Sequence, residues 1–282
     1  MKFAKYWKQQ PVQLDRPVFE ETDGSQTEFS VWGASNINAT EAANNAAARA
    51  EQFKRFAKHD FSRQQDYEYS NGYIKEEVLE EITAADGSAL AVITRNSYGA
   101  SVLNTESVLF GDIDVVELGF IARIMVMLGA VKKDKDYYLK MLIDYQEHRP
   151  ELAMRVYETY AGLRFLITHK TYRADDLEVK KMFTELGVDS LYARLCQQQS
   201  CFRARLTPKP WRIGMSRPAS RYPRDELEQQ DFCHWLHRYI LKSNPCVTVK
   251  LLKMLGQTSV HSDVQRVIDV HDKIACGMGK LG

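Results

Sequence analysis

The sequence predicts an α+β fold, with a mixed or antiparallel central sheet and flanking helices. Three observations lead there. Met154–Tyr160 and Leu163–His169 alternate apolar and polar residues on either side of Ala161-Gly162, which reads as a hairpin. Val108–Val115 is a short apolar run, as expected of a buried strand. Asp225–Leu241 places Leu227, Phe232, Trp235, Leu236, Tyr239 and Ile240 at helical spacing. Strands and helices do not alternate strictly as in a parallel βαβ fold. At 282 residues the chain can bury a large core. With no internal repeat and no clear linker, residues 1–282 read as one domain. In that reading an N-terminal helical segment (about 1–85) packs on a sheet core (about 88–282).

Taken in order, residues 1–37 read as irregular, with a turn at Asp23-Gly24. Asn38 or Thr40 caps an alanine-rich helix reaching about Lys58, with Phe53 and Phe56 on one face. Ile74–Ile82 reads as a short acidic helix, Asp86-Gly87 as a turn and Leu90–Thr94 as a strand. Asn96–Thr105 is a polar link. Beyond the 108–115 strand, Glu117–Ala130 fits a buried helix, and Lys132–Asp136 is a charged break. Asp134 or Asp136 caps a helix ending near His148, before Pro150. After the hairpin come a helix at Asp176–Leu186, a strand at Cys201–Leu206, the 225–241 helix, a strand at Cys246–Leu251 and a last helix at Ser262–Cys276.

Charged residues make up 27% of the chain and cancel to a net +1, so any pull toward nucleic acid or membrane must be local. The five cysteines are scattered and form no CxxC framework, which argues against a disulfide scaffold or a structural zinc site. The N-terminus lacks the apolar core of a signal peptide. The most apolar stretch, Phe120–Val131, is too short to span a bilayer. A cytoplasmic protein without membrane association is expected.

The chemistry centres on Asp112 and Asp114. Residues i and i+2 of a strand share a face, so both carboxylates point the same way from an apolar strand, where they need a partner or a cation. Such a pair can hold Mg²⁺ or Mn²⁺ at a phosphoryl-transfer site. The bland reading is that one aspartate caps the next element and the other pairs with an arginine. A second constellation runs from Cys201 to Gly214, where Arg203, Arg205, Lys209 and Arg212 place four cations in ten residues. Guanidinium forks bind phosphate, Pro208 and Pro210 stiffen the segment, and Trp211 could stack on a base. The competing reading is a solvated basic edge with Trp211 plugging the core. Arg164 either pairs with Asp112 or Glu158, or assists phosphate binding. His271 falls on an apolar stripe and reads as a core histidine satisfied by a hydrogen bond. His234 and His237 are i, i+3 neighbours without a third ligand. No P-loop, GxGxxG or GxSxG motif is present.

The stretches 94–100, 102–105, 110–114 and 201–214 resemble a family of uncharacterised bacterial proteins, over most of the chain. More distantly, the Asp112-Ile113-Asp114 strand followed by a helical segment and a basic hairpin resembles archaeo-eukaryotic-type primase-polymerases. That resemblance implies an RRM-like core, with metals on Asp112 and Asp114. It departs at Gly162-Leu163-Arg164, which offers arginine where the superfamily has a phosphate-binding histidine, and a third acidic position is not placed. Phosphatases of the haloacid dehalogenase type require Gly-Thr after the paired aspartates, whereas Val115-Val116 follows here.

Three functions follow as expectations. The first is metal-dependent phosphoryl or nucleotidyl transfer, with Asp112 and Asp114 catalytic and metal-binding, and Arg164, Arg203, Arg205, Lys209 and Arg212 on phosphate. The second is a non-catalytic nucleotide- or nucleic-acid-binding protein using the same basic segment. The third is an interaction protein with no small-molecule site. Catalysis requires the carboxylates and the cations to converge.

Overall fold

The computed structural model describes residues 1, 3–13, 28–57, 73–115, 131–257 and 259–282. The turn expected at Asp23-Gly24 and the helix expected over 117–130 lie outside them. The chain divides into two compact units, Lys2–Val78 and Leu79–Gly282 with Met1.

In the first unit, β1 (Tyr6–Gln13) pairs antiparallel with β2 (Glu28–Ser35), from Tyr6↔Ser35 to Gln13↔Glu28. Helix α1 (Ala39–Ala57) packs on this hairpin. Its N-terminus is capped by Asn38, whose Oδ1 accepts from the Glu41 N–H at 2.8 Å. Ala42, Ala46 and Ala50 are buried at a spacing of four. Gly33 lets helix and strand approach, because a Cβ there would collide with the Ala46 nitrogen and the Ala42 carbonyl oxygen. The unit is therefore a hairpin plus a helix, where the sequence suggested irregular chain and a helix. The strands are hard to read because β1 is mostly polar.

Two four-stranded sheets lie in the second unit, apart from the first two residues of β3. One has the order β3-β4-β5-β9, made of β3 (Glu77–Thr83), β4 (Ala89–Arg95), β5 (Ser101–Thr105) and β9 (Phe202–Arg205). The other has the order β11-β7-β8-β6, made of β6 (Phe110–Asp114), β7 (Met154–Thr159), β8 (Gly162–Ile167) and β11 (Val249–Leu255). The pairs β4–β5, β5–β9, β6–β8, β7–β8 and β7–β11 are all antiparallel. The helices are α2 (Lys135–Glu147), α3 (Leu177–Glu185), α4 (Ser190–Gln199), α5 (Glu226–Ser243) and α6 (Ser262–Ala275). A 3₁₀ turn covers Pro210–Ile213, and β10 (Cys246–Val247) pairs parallel with β12 (Lys280–Leu281). The chain is an α+β protein. Among the described residues, no helix is long and apolar enough to cross a membrane.

Every residue of β8 is buried, and Phe110, Tyr157 and Phe165 are fully enclosed in one continuous core. Four local expectations change. The acidic segment expected to be helical is β3, whose Val78, Ile82 and Thr83 suit a strand. The polar link holds β5, where Asn104 is buried but donates to the Val92 and Val102 carbonyls and to Thr94 Oγ1. The hairpin turn is Tyr160-Ala161, one residue earlier than expected. Gly162 belongs to β8 and is required for close packing, since a Cβ there would run into the Ile113 carbonyl oxygen. On α5, Phe232, Trp235 and Tyr239 pack inward, while Leu227 and Ile240 are exposed. Its N-terminus carries a full capping box between Asp225 and Glu228.

A candidate anion site beside a buried ion-pair network

The register of β6 on β8 sets Asp112 directly opposite Arg164. Arg164 Nε donates to Asp112 Oδ1 at 2.7 Å and Nη2 to Oδ2 at 3.1 Å. This is a bidentate fork, among the stronger contacts a carboxylate makes. Only 3% of the Arg164 side-chain surface is exposed, against 29% for Asp112. Burial works against the Arg164 charge, but Asp112 outweighs it and raises its pKa.

The network continues inward. Arg164 Nη1 donates to the Arg205 carbonyl at 3.0 Å and lies 3.4 Å from His271 Nε2. Arginine can only donate, so Nε2 accepts, which leaves the imidazole proton on Nδ1. Nδ1 is 2.8 Å from Asp272 Oδ1, and Asp272 Oδ2 accepts from Arg155 Nη1 at 2.7 Å. The His271 ring is fully buried, with the rings of Phe110 and Tyr157 at 5.3 and 5.1 Å. Burial lowers its pKa; Asp272 opposes this and Arg164 reinforces it. A neutral histidine therefore links two ion pairs, Asp112–Arg164 and Asp272–Arg155. His271 is the hydrogen-bonded core histidine that its stripe suggested.

Asp114 behaves differently. It lies at the exposed end of β6, opposite Gly162, and makes no ion pair among the described residues. Its carboxyl is pushed above the usual carboxylate range, first by partial loss of solvent, then by Asp112 and Asp189, with Lys209 and Arg212 opposing. Asp189 caps α4 by accepting from the Tyr192 N–H at 2.7 Å, and its own N–H donates to the Asp112 carbonyl at 3.0 Å. Asp189 escapes a search of the sequence for paired carboxylates, although an aspartate three residues before a helical tyrosine is an N-cap signal.

The basic segment does approach the aspartates. Lys209 interacts electrostatically with Asp114 and Asp112, and Arg212 with Asp114. Arg205 is partly buried, and burial first, then Arg164 and Arg212, pull its pKa down to about 10. Its Nη1 donates to the Thr207 carbonyl (2.8 Å) and to the Gly282 oxygen (3.3 Å), but no Asp or Glu side chain pairs with it among the described residues. Lys209 is depressed by burial and by Arg212 and Arg205. Arg212 lies 4.1 Å from the Tyr160 ring centroid and donates to the Gly282 oxygen at 3.5 Å. Trp211 is 45% exposed, so it is no core plug. It packs edge-on against Tyr98 at 5.3 Å, with Lys209 and Arg217 against its ring. Arg203 shares the face of Arg205 but turns to α4, donating to Gln199 Oε1 at 3.0 Å.

Four cations therefore gather around the two aspartates, and Arg164 is already committed to Asp112. Lys209 and Arg212 act electrostatically on Asp114, and Arg205 lies within the influence of Asp112. A divalent ion shared by Asp112 and Asp114 does not fit this donor set. Both Asp112 oxygens accept from a guanidinium, whose positive charge also repels a second cation. No group of three His, Cys, Asp or Glu side chains suited to a metal ion occurs among the described residues, which includes the neighbourhood of His234 and His237. No protein-family model, curated protein or solved structure matches the chain.

Proposed function

We propose that this chain is a binding protein for a phosphate-bearing ligand, a nucleotide or a nucleic-acid strand, held by Arg205, Lys209 and Arg212. The observation that carries this reading is Arg205. A partly buried guanidinium is costly without a closely paired anion, yet no Asp or Glu side chain pairs with Arg205 among the described residues, and Arg164, Arg212 and Lys209 press on it while Asp112 opposes them. Such an excess of positive charge is relieved by an incoming anion, and phosphate suits the fork geometry of arginine. Trp211 and Tyr160 are exposed rings beside these cations and can stack on bases.

Fluorescence anisotropy of a labelled single-stranded oligonucleotide, with ATP as competitor, tests the proposal. Binding is expected for the wild type and strong weakening for Lys209→Met/Arg212→Met. Failure of the wild type to bind either probe would remove the reading.

A second reading, metal-dependent phosphoryl or nucleotidyl transfer on an RRM-like core, draws support from Asp114 alone. Among the described residues its carboxylate has no ion-pair partner, and it lies close to Asp189 and the cations. Calorimetry with Mn²⁺ and a nucleoside triphosphate separates the two. Heat that depends on Mn²⁺ and vanishes in Asp114→Ala would favour transfer.

A further inference from the structure

Asp112 and Arg164 do more than neutralise each other. β6 ends one four-stranded sheet and β9 ends the other. Arg164, on β8, reaches both: its fork holds β6 through Asp112, and its remaining arm holds β9 through the Arg205 carbonyl. One further side chain makes a similar link, since Tyr192 donates to the Phe110 carbonyl at 2.9 Å and lies 3.4 Å from the Arg203 nitrogen. The Arg164 link falls on the very residue whose side chain is the partly buried guanidinium of the anion site. Behind it, His271 accepts from the same Nη1, and the Asp272–Arg155 pair fixes the imidazole, so the arm cannot swing without disturbing a buried network.

We infer that Arg164 is the internal cation and positioning residue of the anion site. It occupies the place on Asp112 that a divalent ion would take, and it sets the strand that presents Arg205 to the ligand. This rests on the phosphate-binding reading above and adds two things to it. Anion binding needs no divalent metal, and it depends on a buried residue that never touches the ligand. The chemistry is specific to arginine. Five N–H donors in a rigid plane serve a two-pronged fork and a side arm together, whereas a lysine ammonium cannot span both oxygens of Asp112 and the Arg205 carbonyl.

The test is calorimetric titration of inorganic pyrophosphate into the full chain, in EDTA and again with MgCl₂. Variants are Arg164→Lys, Asp112→Asn and, as a control, Leu142→Ala, a fully buried residue of α2 outside the network. The wild type is expected to bind in EDTA. Arg164→Lys should weaken Kd by about tenfold or more, the scale of one lost hydrogen bond to a charged group. Leu142→Ala should lower the melting temperature and leave Kd in place; a purely structural role for Arg164 predicts that same pattern for Arg164→Lys. If Arg164→Lys does not fold, Asp112→Asn is read in the same way, since it removes the charge that anchors the fork. A wild-type Kd in either folded network variant overturns the positioning role. Wild-type binding that appears only with MgCl₂ overturns the claim that Arg164 replaces a metal. No wild-type heat in either buffer removes the anion site itself, a separate failure.

Discussion

Replacing Asp112 by alanine removes the carboxylate that pairs with Arg164, leaving a guanidinium with 3% of its side-chain surface exposed. Breaking a buried pair from one side costs about 3–5 kcal/mol, because the remaining charge stays buried and unpaired. Arg164 keeps its bonds to the Arg205 carbonyl and to His271, so the lower end of that range is expected. For a unit of this size, a loss of about 3 kcal/mol corresponds to roughly 6–12 °C in melting temperature. Removing Arg164 instead, as Arg164→Met, takes the guanidinium donors from both the Asp112 carboxylate and the Arg205 carbonyl, and should cost more. Removing both charges, as Asp112→Leu/Arg164→Met, should recover much of the loss, since apolar replacements of buried pairs are often near neutral. Urea denaturation followed by circular dichroism over wild type, Asp112→Leu, Arg164→Met and the Asp112→Leu/Arg164→Met double variant gives the coupling energy. A cost below about 1 kcal/mol for Asp112→Ala, the range of exposed pairs, with no coupling to Arg164, would refute the pairing and return Asp112 to the pool of available cation ligands.

Further outcomes follow from the same geometry. His271 has its folded pKa below its unfolded value of about 6.5 because burial disfavours the imidazolium. The unfolded chain then binds the extra proton, so this contribution is present above about pH 6.5 and is lost as pH falls below it. The stability of His271→Gln, measured by urea titration from about pH 8 to 5, should fall less steeply than that of the wild type; parallel curves would show that His271 does not titrate differently on folding. Gly162→Ala drives a methyl group against the Ile113 carbonyl and should destabilise by about 1–3 kcal/mol; a neutral result in the same assay would show that β6 and β8 can part at that point. Trp211→Ala should change stability by less than about 0.5 kcal/mol, as an exposed site, yet weaken oligonucleotide binding in the anisotropy assay by about 1–3 kcal/mol. Loss of stability with unchanged binding would reassign the indole to packing.

Much of the second unit could be read from local pattern. The hairpin expected over 154–169 and the 225–241 helix have strong periodicity, the 108–115 strand is a short apolar run, and all three appear where expected, within a residue or two at each end. β5 was hidden because its polar residues are satisfied inside the sheet, as Asn104 shows, and periodicity does not report hydrogen bonding. β3 was hidden because its acidic composition imitates an exposed helix. At the site, strand alternation put Asp112 and Asp114 on one face, but their different fates depend on register. Only the pairing of β6 with β8 decides that Arg164 meets Asp112 and that Gly162 meets Asp114. The approach of Lys209 and Arg212 to Asp114 is likewise tertiary, joining segments distant in sequence. Nothing short of the fold reveals that Arg203, two residues from Arg205 and on the same face, turns instead toward Gln199.

The salt dependence of binding probes the anion site most directly. A single-stranded oligonucleotide is titrated by anisotropy at several salt concentrations, against wild type and Lys209→Met/Arg212→Met. Each cation that neutralises a phosphate adds about 0.7 to the magnitude of the slope of log K against log salt. The double variant should therefore bind more weakly, with a slope shallower by about 1.4. Equal affinities and equal slopes for the two proteins would mean that Lys209 and Arg212 meet no phosphate, and the basic segment would not be a binding site.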